Sequence, residues 1–446
     1  MTSFKITLLT AIAVILSHVQ AFTLEYHVML GYVDMREACV WVQTSEPTKI
    51  RVLYDLKDSK SQLWSVQSET DGEFAFTSHV IIPNLEPGTA YSYKVEFAPT
   101  GSDYNISTKT FELTTQALWQ FRTDPPEFRL ATGSCAFINE PQYDRPGEPY
   151  GGNYEIFESI AAQSPDAMLW LGDNVYLREV DFNSRSGIAH RYSHARAVPE
   201  MQKLLTSCAH YAIWDDHDFG PNDANRSYVH QDWTADAFKQ FWANPSYGLP
   251  GMARKGGITS MFQWSDIDFF LLDNRSFRVN TDVVGSSQPT ILGNDQINWL
   301  IESLKYSKAP FKIITMGGQF LNTEKKFENY SVWEIERQKI IDAIKANNIT
   351  GVFFLSGDRH CGELSELKIS EDNVIYDLTV SPLTSKAYDN SGEKNLLRTE
   401  GTLIPQRHFA TLDFKGKYGD RVMVITTYDS AGKIIYTKEI HQPKKR

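Results

Sequence analysis

The stretch Phe353-Phe354-Leu355-Ser356-Gly357-Asp358-Arg359-His360-Cys361-Gly362 passes from an apolar run into Ser-Gly, then presents an acid, a guanidinium, an imidazole and a thiol in succession. Strand ends are wet, so one such terminus has a bland explanation. The pattern recurs, however. FRLATGSC ends on Cys135, and AMLWLGDN runs on to Asp173, Asn174 and Tyr176. HYAIWDDH leads to Asp215, Asp216, His217, Asp218 and Asn222, and DFFLLDNR to Asp273, Arg275 and Arg278. Only FKIITMGGQ lacks such a cluster. In open α/β folds the C-terminal ends of strands converge on a ligand crevice, so these groups are expected to meet in space.

Between the strands, the spacing predicts helices over 154–162, 235–243, 295–306 and 332–346, the rhythm of an α/β unit covered by helices. From residue 376 the chain reverts to strands and hairpins, with turns at Tyr418-Gly419-Asp420 and Ser430-Ala431-Gly432. Upstream, the runs HVMLGYV, CVWVQT, KIRVLYDL, SHVIIPNL, YSYKVEFA and KTFELTT read as a small β-sandwich over 22–118. Its corner, Leu85-Glu86-Pro87-Gly88 leading to Tyr91 and Tyr93, resembles that of fibronectin type III domains. A Pro-rich linker at 121–126 separates it from the second unit, 125–446.

A chain of 446 residues is too long for one ordinary core. A net charge of -11 disfavours nucleic-acid binding, which needs a basic stripe. It leaves room for a small phosphorylated substrate, because a bound metal inverts the local field. Residues 1–21 have one Lys and an apolar stretch too short to cross a bilayer. They read as a cleavable Sec-type signal peptide, predicting a secreted or periplasmic protein with no transmembrane segment. The four cysteines, Cys39, Cys135, Cys208 and Cys361, are spaced too irregularly to pair from sequence. The oligomeric state is not legible.

Asp, Asn and His form the mixed O/N ligand set of dinuclear hydrolases. A bound cation would lower the pKa of water from ~15.7 to about 7. A thiolate and a phenolate beside them favour Fe(III). Gly172 and Gly357, each preceding an Asp, are expected to let the backbone approach the metals without a Cβ. Arg275 and Arg278 are expected to fork on phosphate, with an ion pair between Arg275 and Asp273 the alternative. His190 and His194 read as solvated residues of a polar loop, and Gln319 as either a site residue or a strand-end hydrogen bonder.

GSC, LGDNVY, IWDDHDFGPND, LLDNRSFR, LGNDQINWL and FLSGDRH, in that order, resemble the PhoD-like alkaline phosphatase family of the metallophosphatase superfamily. That resemblance covers nearly the whole chain after residue 21. It implies an α/β (α+β) fold, a four-layer αββα core preceded by the sandwich. It also implies metal-dependent hydrolysis of phosphomonoesters or phosphodiesters by in-line attack of a metal-bound hydroxide, with Fe(III) and Ca2+ as cofactors. Carried over, Cys135, Asp173 and Tyr176 match the iron ligands, and Asn222, Asp358 and His360 the remaining metal places. Asp216 and His217 fall near the leaving oxygen, with His217 the general acid, and Arg275 falls beside the phosphate. The C-terminal helix that covers the site in some members is not visible after the last hairpin, which implies a more open site. The alternatives are a phospholipase-D-like enzyme acting on lipid headgroups and a non-catalytic secreted binding protein.

Overall fold

The computed structural model describes residues 24–59, 64–250, 257–285 and 288–444. The export signal expected over 1–21 lies outside the described residues. The N-terminal strands are β1 (Tyr26–Val33), β2 (Ala38–Thr44), β3 (Thr48–Leu56), β4 (Trp64–Glu69), β5 (Thr77–Ile82), β6 (Ala90–Pro99), β7 (Ile106–Ser107) and β8 (Phe111–Thr114). One sheet runs β1-β2-β5; the other runs β4-β3-β6, with β7 and β8 both pairing with β6. Along β6 the side chains alternate, with Tyr91, Tyr93, Val95 and Phe97 buried, the period of a half-covered strand. At the expected corner, the Glu86 N–H donates to the Tyr91 hydroxyl at 2.8 Å, tying the Pro-Gly turn to the strand it launches. β4 escapes sequence patterning because no residue along it is fully buried.

The second unit contains β9 (Phe128–Gly133), β10 (Ala167–Leu171), β11 (Ala209–Ile213), β12 (Ser260–Trp264), β13 (Ile267–Leu271), β14 (Lys312–Met316), β15 (Val352–Ser356), β16 (Glu363–Ser370), β17 (Asn373–Thr379), β18 (His408–Lys417), β19 (Asp420–Asp429) and β20 (Ile434–His441). Its helices are α1 (Glu155–Ala162), α2 (Arg185–Arg196), α3 (Gln202–Ser207), α4 (Asp216–Phe219), α5 (Gln231–Phe241), α6 (Gly293–Tyr306) and α7 (Glu334–Ala346). The strands form two mixed sheets, ordered β11-β10-β9-β18-β19-β20 and β12-β13-β14-β15-β17-β16.

Alternation along the second sheet sets the layers. Phe269, Leu271, Ile313, Phe353 and Leu355 share a core with the first sheet. Their neighbours Phe270, Leu272, Ile314 and Phe354 pack instead with Leu300 and Leu304 of α6 and Ile340 and Ile344 of α7. Strands buried on both faces read as unbroken apolar runs, which is why each was found as one. On the far side of the first sheet, α1 contributes Ile156, Phe157 and Ile160 to the shared core. The result is the four-layer αββα arrangement.

The tail is integral to this core. β18 pairs antiparallel with β9, so the middle of the first sheet joins the start of the unit to its last hairpins. α2 replaces the polar loop expected around His190 and His194. It is N-capped by the Ser184 hydroxyl, which accepts the Gly187 N–H at 3.0 Å. Its buried side includes Arg191 and Arg196, so hydrophobic periodicity could not reveal it.

Candidate metal centre

The strand ends do converge. Cys135 follows β9, Asp173 follows β10, and Asp358 and His360 follow β15; all four have positive φ, between 50° and 64°. Non-glycine residues in that region carry strain, which persists only where the surroundings over-determine it, as at ligand sites. The adjoining glycines have a different reason from the one expected. A Cβ on Gly172 would meet Asp215 and the Trp214 carbonyl carbon, and one on Gly357 would meet the Ser134 Cβ at 2.7 Å and the Leu171 carbonyl oxygen at 2.8 Å. They let strand-end loops pack against one another.

Asp173 is the hub of the first cluster. Its Oδ2 lies 3.4 Å from the Cys135 sulfur and 3.2 Å from the Tyr176 hydroxyl. The same hydroxyl lies 3.1 Å from His360 Nε2. His360 Nδ1 is 2.7 Å from the Lys386 carbonyl oxygen, which can only accept, so the proton belongs on Nδ1. That fixes the tautomer and leaves the Nε2 lone pair for a ligand.

Two further groups adjoin it, each with ligand atoms within 4.8 Å of one another: Asp173 with Asp216 and His217, and Asp215 with Asp216, Glu328 and Asp358. The Asp173 and Asp216 carboxylates link the three groups into one band.

Burial dominates the electrostatics. It raises the Cys135 thiol, the Asp173 carboxyl and the Tyr176 phenol well above their usual ranges, and the negative charge of neighbours adds to each. Asp358 is raised the same way, and Asp215 to about 7. Burial would also raise Asp216, but His217 and Arg275 outweigh it and hold that carboxyl below its usual range. Desolvation lowers His217, against the pull of Asp216, and lowers His360 to about 4.

The donor set fits cations. Asn174 Oδ1, Asp215 Oδ2 and Asn274 Oδ1 are buried and have no hydrogen-bond partner among the described residues, and Asp216 Oδ1 has only the Arg275 guanidinium 3.6 Å away. These orphans are all acceptors, so a proton donor or a cation must satisfy them. Sulfur, imidazole and phenol gather at one end of the band, suiting a transition metal, and hard oxygens at the other, suiting an ion such as Ca2+.

Of the expected residues, Cys135, Asp173, Tyr176 and His360 come together, with Asp216, His217 and Asp358 beside them. Asn222 stands at the rim, exposed, its amide donating to Asp223 at 2.8 Å. Arg275 departs from expectation. Its side chain is fully buried, and its guanidinium engages Asp215 and Glu328 with Asp216 nearby at 3.6 Å. Arg278 also pairs with Glu328. With carboxylates surrounding both, the arginines act as counter-ions beneath the acidic band, and a phosphate fork is not the arrangement present. Asp273 instead accepts the Trp214 indole N–H at 2.8 Å and the Arg275 backbone N–H at 3.0 Å. Gln319 donates to Glu363 at 2.7 Å and Thr379 at 2.8 Å as a strand-end hydrogen bonder.

Sequence reasoning missed Glu328, which lies in a loop with no motif around it. It also missed Ser381, whose hydroxyl donates to the Cys135 sulfur at 3.1 Å and accepts the His360 N–H at 2.9 Å. Tyr150, 3.3 Å from His360 Nδ1, was missed as well. All four cysteines are free and buried; Cys361 accepts from the Asn390 amide at 3.0 Å.

The family described as PhoD-like phosphatase matches residues 130–421, and a domain of unknown function (DUF7800) matches 23–102. Alkaline phosphatase D of Bacillus subtilis (strain 168) is 22% identical over 344 residues, covering 66% of this chain. This chain spans about 55% of that relative's length. The solved structure of PhoD superposes with a TM-score of 0.73 at 16% identity, covering 94% of this chain and 92% of that one. Purple acid phosphatase PPD1 from yellow lupin (Lupinus luteus) seeds gives 0.63 at 10% identity, covering 93% and 74% respectively. Both likenesses concern the fold.

Proposed function

The chain belongs to the PhoD-like phosphatase family, and we propose that it is an exported, metal-dependent phosphoesterase acting on phosphomonoesters, phosphodiesters or both. In this reading the sandwich occupies 22–118, the catalytic unit occupies 125–446, and the segment 1–21 is removed on export. One observation carries the proposal. A thiol, a phenol, an imidazole and several carboxylates from separate strand ends meet at one point beside acceptor oxygens that lack donors.

Cys135, Asp173, Tyr176 and His360 would hold Fe(III), and Asp173, Asp216 and Asp358, with Asn222 at the rim, would hold Ca2+. When bound, such ions supply an acidified water near neutral pH and positive charge against the phosphoryl oxygens. The chain's own contribution is positioning. His217 is only partly buried, sits 4.0 Å from Asp216 and lies tilted against the Tyr176 ring, with centroids 4.2 Å apart. It is therefore held at the edge of the cluster, where it can deliver a proton to a departing oxygen. Its backbone N–H donates to Asp173 Oδ1 at 3.3 Å, which couples the acid to the ligand band. Arg275 and Arg278 hold the second carboxylate group in place from below.

The test is elemental analysis of the purified protein with a panel of nitrophenyl phosphate, bis(nitrophenyl) phosphate and phosphatidylcholine. Stoichiometric metal and hydrolysis of an ester are expected, with Asp358→Ala abolishing turnover while the sandwich stays folded. Absence of both metal and turnover would return the chain to the reading of a secreted binding protein.

A further inference from the structure

Beside the ligand band lies a cleft of about 630 Å³ that the hydrolytic reading leaves without a role. Its floor includes Tyr176 and His217, and its walls carry Phe137, Tyr143, Tyr150 and Phe182. Resting on the hydrolytic reading, we propose that this cleft seats the ester's leaving group, and that the group it takes is an uncharged aromatic alcohol.

Continuity is the first argument. Hydrolysis forms one P–O bond from water, breaks the P–O bond to the alcohol, and gives the departing oxygen a proton. With phosphorus at the ligand band, an alcohol leaving beside His217 points into the space that His217 and Tyr176 border.

The second argument is shape. Phe137 and Tyr150 pack edge to face with centroids 5.0 Å apart, and Phe137 lies 5.0 Å from Tyr176. Tyr150 meets Tyr176 edge-on at 6.4 Å. An added ring would extend an aromatic cluster already in the offset and edge-to-face geometry that such pairs prefer. The walls are also preformed. The Asn139 amide donates to the Gly151 carbonyl oxygen and accepts the Gly151 N–H, both at 2.9 Å, closing the wall loop on itself. His190 Nε2 lies 3.0 Å from Glu140 and fixes the loop to α2. A preorganised wall does not have to be ordered when the ligand arrives.

Charge is the third. Arg145 pairs with Glu179 at 2.8 Å and Arg178 with Asp144 at 2.7 Å, and the Arg178 guanidinium lies 3.9 Å over the Phe137 ring. The lining thus sets three carboxylates, Asp144, Glu148 and Glu179, against the guanidiniums of Arg145 and Arg178, and Arg178 is buried against its partner. An anionic leaving group, such as one bearing a second phosphate, would meet a lining of net negative charge.

Calorimetry on the metal-loaded protein with phenylphosphonate and methylphosphonate separates the ring from the phosphoryl end without turnover. Phenylphosphonate should bind about tenfold more tightly, the scale of one buried aromatic contact. Tyr143→Ala and Phe182→Ala, neither of which touches the ligand band, should each reduce that ratio to about threefold or less with methylphosphonate affinity unchanged. A ratio near one, or a ratio that survives the double substitution, overturns the proposal. So does tighter binding of a phosphonate carrying a trimethylammonium group, which would make the cleft a cation cage. Ester turnover with a ratio near one would sink the subsite alone, whereas a clear ratio with no ester hydrolysed would sink the hydrolytic reading.

Discussion

Replacing Gly172 with Ala separates two explanations for the glycines at the strand ends. Gly172 has φ of 91°, and its Cβ would sit 2.8 Å from the Asp215 Cβ and 2.9 Å from both the Asp215 nitrogen and the Trp214 carbonyl carbon. Two of those contacts are backbone atoms, which cannot swing aside as a side chain can. The left-handed conformation costs Ala about 1–2 kcal/mol, and overpacking a filled site about 1–3 kcal/mol. Together they predict a loss of about 2–5 kcal/mol. Gly357→Ala has the crowding without a positive φ, so its loss should be about 1–3 kcal/mol. The assay is denaturant unfolding of metal-free protein, in which access to an ion plays no part. If both variants unfold within about 0.5 kcal/mol of the parent without metal, and differ only in metal affinity, then loop packing is not why glycine stands there.

Tyr176→Phe should bleach the visible absorption that a phenolate on Fe(III) gives; a colourless parent that is loaded and active would remove iron while leaving hydrolysis intact. Arg275→Met should cost about 3–5 kcal/mol by stranding Asp215 and Glu328, and added divalent cation should recover part of it. A phosphate-binding arginine would instead raise KM with stability unmoved. His79, in β5, is lowered by burial from 6.5 to about 4, and its Nε2 has no hydrogen-bond partner among the described residues. Its folded value lies below its unfolded one, so the neutral ring's contribution is complete above 6.5 and is lost as pH falls toward 4. His79→Leu should flatten that part of the stability profile, and an unchanged acid limb would contradict the assignment.

Reading the sequence worked best where chemistry and periodicity coincide. Strands such as β10 and β15 are buried on both faces and end in dense polar clusters, so the strand ends that carry Asp173 and His360 were legible in the sequence. It worked worst where a residue acts through a distant partner. Nothing around Glu328 distinguishes it from a solvated acid, because its role exists only once Arg275 and Arg278 lie against it. Arg275 failed for the same reason. An arginine three residues before another looks like an anion clamp until the fold supplies carboxylates on every side. α2 was missed because its buried face includes arginines, and a scale that counts arginine as exposed sees only a polar stretch.

Charge balance ties these counter-ions to the choice of metals. Asp173, Asp215, Asp216, Glu328 and Asp358 would bring five negative charges into a band that Arg275 and Arg278 answer with two positive ones. A metal that deprotonated Cys135 and Tyr176 would add two more negative charges, leaving a deficit of five. Counting side chains alone, before any bound hydroxide or substrate, one trivalent and one divalent ion would close it, whereas two divalent ions would leave a larger buried negative charge. Burial makes such a residue of charge expensive, and without ions Asp173, Asp215 and Asp358 are driven toward their protonated forms. On this count the proposed pairing of a trivalent with a divalent ion suits the side chains better than two divalent ions would. It depends on Arg275 being a structural cation of the centre: were that guanidinium free to turn toward substrate, the count would change and the pairing with it.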